Sequence, residues 1–184
     1  MKILIFDQAM TEQVYSGRKT MARIYMEKQP IMQSHVSYAE VIENCMIDAR
    51  GREHKFPYKS QFPLREWWRK AGHGYEYKTD RNDMEAKDWQ SPAMMPLKAA
   101  RLWLEITEVY CERFSEIHEA EFDADGMRPM KRIAGAQSFY NYDRNNYSAK
   151  SKLETMHTYY MTKYKYLRMD DWAWIIHFQP MSGL

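Results

Sequence analysis

Three cations, Arg18, Lys19 and Arg23, stand within six residues just past Gly17. Their chemistry admits two readings. They close the C-terminal end of a short helix, where positive charge is favourable against unsatisfied carbonyls, or they gather an anion at the mouth of the fold. A second collection of cations is larger. From Lys131 to Arg168 eight bases stand against two acids, a balance of +6, and half of the 14 tyrosines share that stretch. Cations neutralise phosphates and aromatic rings stack on exposed bases, so basic residues interleaved with Tyr suit nucleic acid. The same pattern suits tyrosines lining a core with lysines as its solvated rim. Lys163, Lys165 and Arg168 are the cations of this stretch from which a salt-dependent phosphate contact is expected.

Other chemistries have no foothold. There is no Gly-rich phosphate loop, no G-x-S-x-G, no H-E-x-x-H and no C-x-x-C. His35, His54, His73, His118, His157 and His177 are scattered, with no pair at ligand spacing. Cys45 and Cys111 are too few for a disulfide framework or a zinc finger. No metal and no cofactor are expected.

The remaining charge is segregated. Arg50 to Lys70 carries seven bases and two acids, a balance of +5, and Trp103 to Asp125 carries eight acids and one base, a balance of −7. Opposed blocks of this kind give complementary surfaces, to a protein partner or to a second copy of the chain.

The elements that must position these groups follow from pattern. A length of 184 residues and a mass of 22.2 kDa predict one domain, and 45% apolar residues are enough for a core. No run approaches the ~20 apolar residues of a membrane span, and Lys2 is followed only by Ile3 to Phe6 before Asp7, too little for a signal peptide. A soluble cytoplasmic protein is expected.

Ile3 to Phe6 reads as a short buried strand. Asp7 caps a helix that shares Met10 and Val14 on one face and ends at Gly17. Thr20 to Met26 reads as a strand. Ser37 with Glu40, stapled by Val36 and Val41, opens a helix to about Met46, followed by a turn at Ala49-Arg50-Gly51. Residues 51 to 63 read as a basic loop. Arg101 to Tyr110 alternates as a half-buried strand, and Ser115 to Ala124 reads as a helix closed by Gly126. Residues 128 to 150 read as a long loop. Ser151 with Glu154 caps a helix with Leu153, Met156, Tyr160 and Tyr164 on one face, and Trp172 to Phe178, apolar on both faces, reads as a central strand. This order fits no doubly wound sheet. It predicts an α+β fold, a small mixed barrel with helices at its ends.

The segment Ser16-Gly17-Arg18-Lys19-Thr20-Met21-Ala22-Arg23 resembles the signature of ASCH domains, of the PUA-like superfamily, which reads G-x-K-x-x-T-x-R after a short helix. Further blocks follow in the family's order. Met1 to Phe6 is similar to its opening strand. Leu64-Arg65-Glu66-Trp67-Trp68 with Gly74-Tyr75-Glu76-Tyr77-Lys78-Thr79-Asp80 resembles V-R-E-T-W and G-Y-x-Y-x-A-D. Met94 to Arg101, running into Leu104 to Val109, resembles M-P-x-x-A-S-R-x-x-L-E-I-T-D-V. Arg113-Phe114 through Asp125-Gly126-Met127 resembles an acidic helix ending in E-G-I, and Trp172 to Phe178 resembles W-V-W-V-I-E-F. The stretches at about 27–63 and 128–168 carry little resemblance and read as insertions in a single domain spanning 1–184. The likeness is strongest to long ASCH-type proteins of bacteriophages and prophages.

The resemblance implies a PUA-like β-barrel with flanking short helices, and recognition of RNA or of modified nucleosides. One branch of the family is an amidohydrolase that deacetylates 4-acetylcytidine with a lysine, a threonine and a glutamate. Those positions fall on Lys19, Ala22 and Asp125, and the motif's closing arginine falls on Ile24. Alanine cannot attack a carbonyl; Thr20, two residues away on a strand, shares its face and is the one substitute nearby. If catalysis survives, Lys19, Asp125 and Thr20 carry it, as an amidohydrolase or a ribonuclease.

Three functions are therefore expected to compete. The first is a non-catalytic nucleic-acid-binding module, contacting its ligand through Arg18, Lys19, Arg23 and Arg65, through Tyr75, Tyr77 and Lys98, and through Lys163, Lys165 and Arg168. Several candidates have a plainer alternative: Arg65 a structural ion pair with Glu66, Tyr75 and Tyr77 a cross-strand aromatic pair, and the catalytic candidate Asp125 a helix-end turn. The second function is hydrolysis of a modified nucleoside or RNA. The third is a phage factor that binds and inhibits a host protein in the host cytoplasm, with a homodimer also open.

Overall fold

The computed structural model describes residues 4–26, 29, 59–81, 88–129, 139–140 and 151–181. The expected helix from Ser37, the turn at 49–51 and most of the segments at 27–63 and 128–150 lie outside the described residues, as do Met1 to Ile3.

The described elements are a mixture of strands and short helices. α1 spans Gln8–Tyr15, β1 Met21–Tyr25, β2 Gln61–Pro63, β3 Trp68–Ala71, β4 Gly74–Tyr77, β5 Trp103–Arg113, α2 Glu121–Ala124, β6 Arg128–Pro129, β7 Phe139–Tyr140, α3 Lys152–Lys163 and β8 Trp172–Pro180. Single 3-10 turns occupy Lys78–Asp80, Pro92–Met94, Leu97–Ala99 and Phe114–Glu116. The main sheet runs β1-β8-β5-β2, antiparallel throughout, and curls into a half-barrel. The register between β5 and β8 shifts between Ile106 and Glu108, and a bulge of that kind adds local twist.

β8 is central for the reason its sequence gives: residues of both its faces are buried, Ala173 and Ile175 on one, Trp172, Ile176 and Phe178 on the other. β5 alternates as expected at its start, with Leu104 and Ile106 buried. The core gathers Phe6, Met10 and Val14 with Phe62, Leu64, Phe114, Phe122, Met156 and Tyr160. Asp7 accepts from the Met10 backbone N–H at 2.8 Å to start α1, and Ser151 accepts from the Glu154 N–H at 3.1 Å to start α3. No helix among the described residues is long and apolar enough to cross a membrane.

Four local expectations change. Of the short buried strand expected over Ile3 to Phe6, only Leu4 to Phe6 lie among the described residues: Leu4 and Phe6 are buried in the core, whereas Ile5 is exposed and makes a single parallel bridge with Arg65. The segment expected as loop to residue 63 ends in β2, which pairs with Glu105 to Trp103 of β5. Pro63 is tolerated there because β2 is an edge strand, and buried Phe62 anchors it. The helix expected over 115–124 is two pieces, because Ile117 leaves helical geometry at ψ 128° and turns its side chain into the core. The long loop expected after residue 128 contains the short ladder of β6 with β7.

Candidate functional site

Two helix ends deliver the first pair of charges. After α1 the Gly17 N–H bonds to Val14 O at 3.0 Å and the Arg18 N–H to Gln13 O at 3.0 Å, with Gly17 at φ 70°. After α2 the Gly126 N–H bonds to Asp123 O at 2.9 Å and the Met127 N–H to Phe122 O at 3.0 Å, with Gly126 at φ 84°. Both are Schellman endings, which need a left-handed residue where glycine has no Cβ penalty. At the second, Phe122 and Met127 are both buried in the same core cluster and hold the turn down.

The two turns meet. The Thr20 N–H donates to Ala124 O at 2.9 Å while Thr20 O accepts from the Phe178 N–H at 2.9 Å, so α2 is latched to the start of β1 and to β8. Lys19 Nζ donates to Asp125 Oδ1 at 2.9 Å and to Asp125 O at 2.9 Å. The second oxygen, Asp125 Oδ2, accepts a short hydrogen bond from the Tyr160 hydroxyl of α3. Lys19 is 3% exposed, Tyr160 2% and Asp125 0%.

Arg23 extends this centre along the sheet. In register Arg23 opposes Ile175 and Ile175 opposes Tyr110, so the guanidinium reaches across β8 toward β5. There it pairs with Glu112 Oε1 at 2.5 Å and with Glu121 Oε2 at 2.9 Å. Tyr110 hydrogen-bonds toward Glu121 at 3.5 Å and stacks on His177 with ring centroids 5.8 Å apart.

Electrostatics follow from these contacts. Burial opposes ionisation of Asp125, but the positive charges of Lys19 and Arg23, with the Tyr160 hydroxyl, hold its pKa below the ordinary carboxylate value. Burial pushes the pKa of Lys19 below the usual lysine range, with the Arg23 charge adding to it, against the pull of the Asp125 and Asp7 carboxylates. Burial and the Asp125 charge raise Tyr160 well above the ordinary phenol value, which keeps its hydroxyl a donor. Burial also raises Glu112, against the attraction of Arg23.

A second polar cluster forms around Glu66, itself 1% exposed. Its carboxylate accepts from Arg101 Nε at 3.1 Å and Arg101 Nη2 at 2.8 Å, a bidentate fork. It also accepts from the Tyr15 hydroxyl at 2.7 Å and the Thr79 hydroxyl at 2.5 Å. The Arg101 guanidinium lies 3.8 Å from the Tyr77 ring and 5.2 Å from the Tyr15 ring, and gives its remaining arm to Asp80 at 2.6 Å. α1, the β3–β4 hairpin and the start of β5 are tied together here.

The expected site residues thus fall into different settings. Lys19, Asp125 and Arg23 come together, but inside the protein, and Ala22 is buried on the other face of β1. Thr20 is half-buried and its backbone is committed at both ends. Arg18 is exposed and donates to the Ser16 hydroxyl at 3.1 Å. Arg65 does not pair with Glu66; its Nη1 donates to Ala93 O at 3.0 Å and Met95 O at 2.9 Å. Tyr77 is buried with its hydroxyl on Ala99 O at 2.6 Å, and half-buried Tyr75 packs edge-on against Trp68. Lys98 is exposed on a 3-10 turn. Lys163, Lys165 and Arg168 are all exposed, at and beyond the C-terminal end of α3.

Tyr160, Glu112, Glu121, Arg101, Tyr15 and Thr79 join these centres without having been singled out from sequence. The acidic block from 103 to 125 held a signal: three of its acids, Glu112, Glu121 and Asp125, are spent on Arg23 and Lys19 inside the fold rather than on an outer surface. Among the described residues no group of three or more His, Cys, Asp or Glu is arranged to hold a metal ion.

Fold and centre define a mixed α+β protein, an antiparallel half-barrel with a few short helices and a buried charged cluster beside its apolar core. Comparison with protein-family models, with curated proteins and with solved structures gives no match.

Proposed function

We propose that this chain is an ASCH-type, PUA-like module that binds nucleic acid and performs no chemistry on it. The observation that carries the reading is the outward placement of Lys163, Lys165 and Arg168, three exposed cations within six residues at one corner of the fold. They stand where phosphates can reach them, and the C-terminal end of α3 favours their charge.

The state of the other cations supports the non-catalytic half of the reading. Lys19, the lysine of the motif, is paired in a solvent-excluded contact with Asp125, and that carboxylate is bonded on both oxygens. A general base or acid has to reach the proton it moves. The motif's nucleophile position is Ala22, whose methyl group is buried. The pair and its partners act as the internal brace of the half-barrel.

The experiment is a binding titration of the whole chain with fluorescent single-stranded RNA, single-stranded DNA and duplex RNA over a salt series, beside incubation with acetylated nucleosides. Salt-sensitive binding with the nucleosides left intact is expected. Turnover that Lys19→Met abolishes supports the hydrolase instead. Capture of one stoichiometric host protein, insensitive to nuclease, in the absence of RNA binding supports the inhibitor.

A further inference from the structure

Tyr166 is 80% exposed, more than any other exposed large apolar or aromatic side chain among the described residues, where Met94 reaches 72% and Tyr15 only 40%. An aromatic ring left in water forgoes burial that the other described tyrosines obtain to a larger degree. Its placement is built, not frayed. α3 ends at Tyr164, and the Leu167 N–H bonds back to Tyr164 O at 3.0 Å, closing a turn with Lys165 and Tyr166 at its two central positions.

Both ends of that turn are anchored. The Tyr164 ring packs against Tyr25 at 5.5 Å and lies parallel to Tyr160 at 6.3 Å, and its hydroxyl reaches Arg23 O at 3.4 Å. Leu167 is buried. A second turn follows at once: the Arg168 N–H donates to Asp171 Oδ2 at 2.8 Å and the Asp171 N–H to Arg168 O at 3.0 Å. The knuckle therefore holds its central side chains outward. Lys165 Nζ lies 5.5 Å from the Tyr166 ring, and the Arg168 side chain is 83% exposed, with Nη2 3.4 Å from Asp171 Oδ1.

We propose that Tyr166 is a base-stacking residue and that it makes this surface selective for single-stranded nucleic acid. The inference rests on the nucleic-acid-binding reading above and names its ligand class. In a single strand a base can turn out and lay its face on the ring while the neighbouring phosphates meet Lys165, Lys163 and Arg168. In a duplex the base faces are occupied by their neighbours, so the ring has nothing to stack on and only the salt-dependent attraction of the cations is left.

The test uses the whole chain, its Tyr166→Ala and Tyr166→Phe variants, and three labelled probes: oligouridine, oligothymidine and an RNA duplex. The RNA and DNA single strands distinguish a stacking contact common to both from one that needs the 2′-hydroxyl. Loss of one stacked base weakens single-strand binding by on the order of tenfold. Tyr166→Ala is expected to lose that factor on single strands and nothing on duplex, with the salt slope unchanged because no charge was removed. Tyr166→Phe keeps the ring and is expected to bind as the parent does. Parent binding that Tyr166→Ala leaves untouched, or that it weakens equally on duplex, overturns this inference alone. Absence of salt-sensitive binding by the parent to all three probes overturns the underlying reading as well.

Discussion

Lys19 and Asp125 lie 106 positions apart in the sequence and meet at 2.9 Å in the interior, each presented by a helix that ends on a left-handed glycine. Gly17 turns the chain so that Lys19 enters the core, and Gly126 fixes the turn from which Asp125 offers both its carboxylate and its carbonyl. The pair thereby ties the N-terminal helix to the turn after α2, and Tyr160 ties both to α3.

A brace of this kind has a specific energetic signature. Removing one partner of a buried pair leaves the other charge uncompensated and costs about 3–5 kcal/mol, whereas removing both charges costs much less. Lys19→Met is expected to lower stability by about that amount, and Lys19→Met combined with Asp125→Asn to recover a large part of it. Urea unfolding of the two single variants, the double variant and the parent closes the cycle. Additive costs would show that the pair is not coupled.

Acid should expose the same contact. Asp125 has its pKa held below the ordinary value of 3.8 in the folded protein. A depressed carboxylate contributes stability above its unfolded pKa and loses it as pH falls through the folded one. Thermal melts between neutral pH and strong acid should therefore show a decline below about pH 4 that is shallower in Asp125→Asn. Parallel acid limbs in the two proteins would exclude Asp125 as a source of the decline.

Gly17 gives a test of the delivery device rather than of the pair. Its φ is 70°, and a Cβ placed there would meet nothing within 4 Å. The cost of Gly17→Ala is thus conformational, about 1–2 kcal/mol, with Gly17→Asn costing less because asparagine tolerates the left-handed region. Chemical denaturation of the two variants measures the difference. An Ala variant as stable as the parent would mean that the helix ends another way.

Much of this was legible in the sequence, for local reasons. Asp7 and Ser151 read as caps and Gly17 and Gly126 as helix ends, because capping and positive φ depend on a few neighbouring residues. β8 read as central because both its faces are apolar. What was not legible depends on register. Arg23 finds Glu112 only because Ile175 aligns β1 with β5 across β8, and no spacing in the sequence encodes that alignment. Tyr160 read as sharing a helical face with Met156, with core and nucleic-acid roles both open for the tyrosines of that stretch; it is buried, and its hydroxyl's partner lies 35 residues away in another element. β2, three residues long with a proline, carries too little pattern to announce itself.

Glu66 should matter regionally. Glu66→Ala removes the carboxylate shared by Arg101, Tyr15 and Thr79, and with it the tie of α1 to the β3–β4 hairpin, leaving Arg101 its contacts with Asp80 and Thr79. Native-state amide exchange is expected to speed up at 68–71 and 74–77 while β5 and β8 keep their protection. Uniform acceleration across the sheet would show instead that Glu66 supports the whole fold.

The most direct measurement is the salt dependence of single-stranded RNA binding by the parent and by the variant Lys163→Ala, Lys165→Ala, Arg168→Ala. Each phosphate contact on a single strand contributes about 0.7 to the slope of log K against log salt, so losing three should flatten it by about 2. That flattening, with Lys19→Met retaining the parent slope wherever it remains folded, is the predicted result. Equal slopes in the parent and the triple variant would contradict the assignment of binding to this surface.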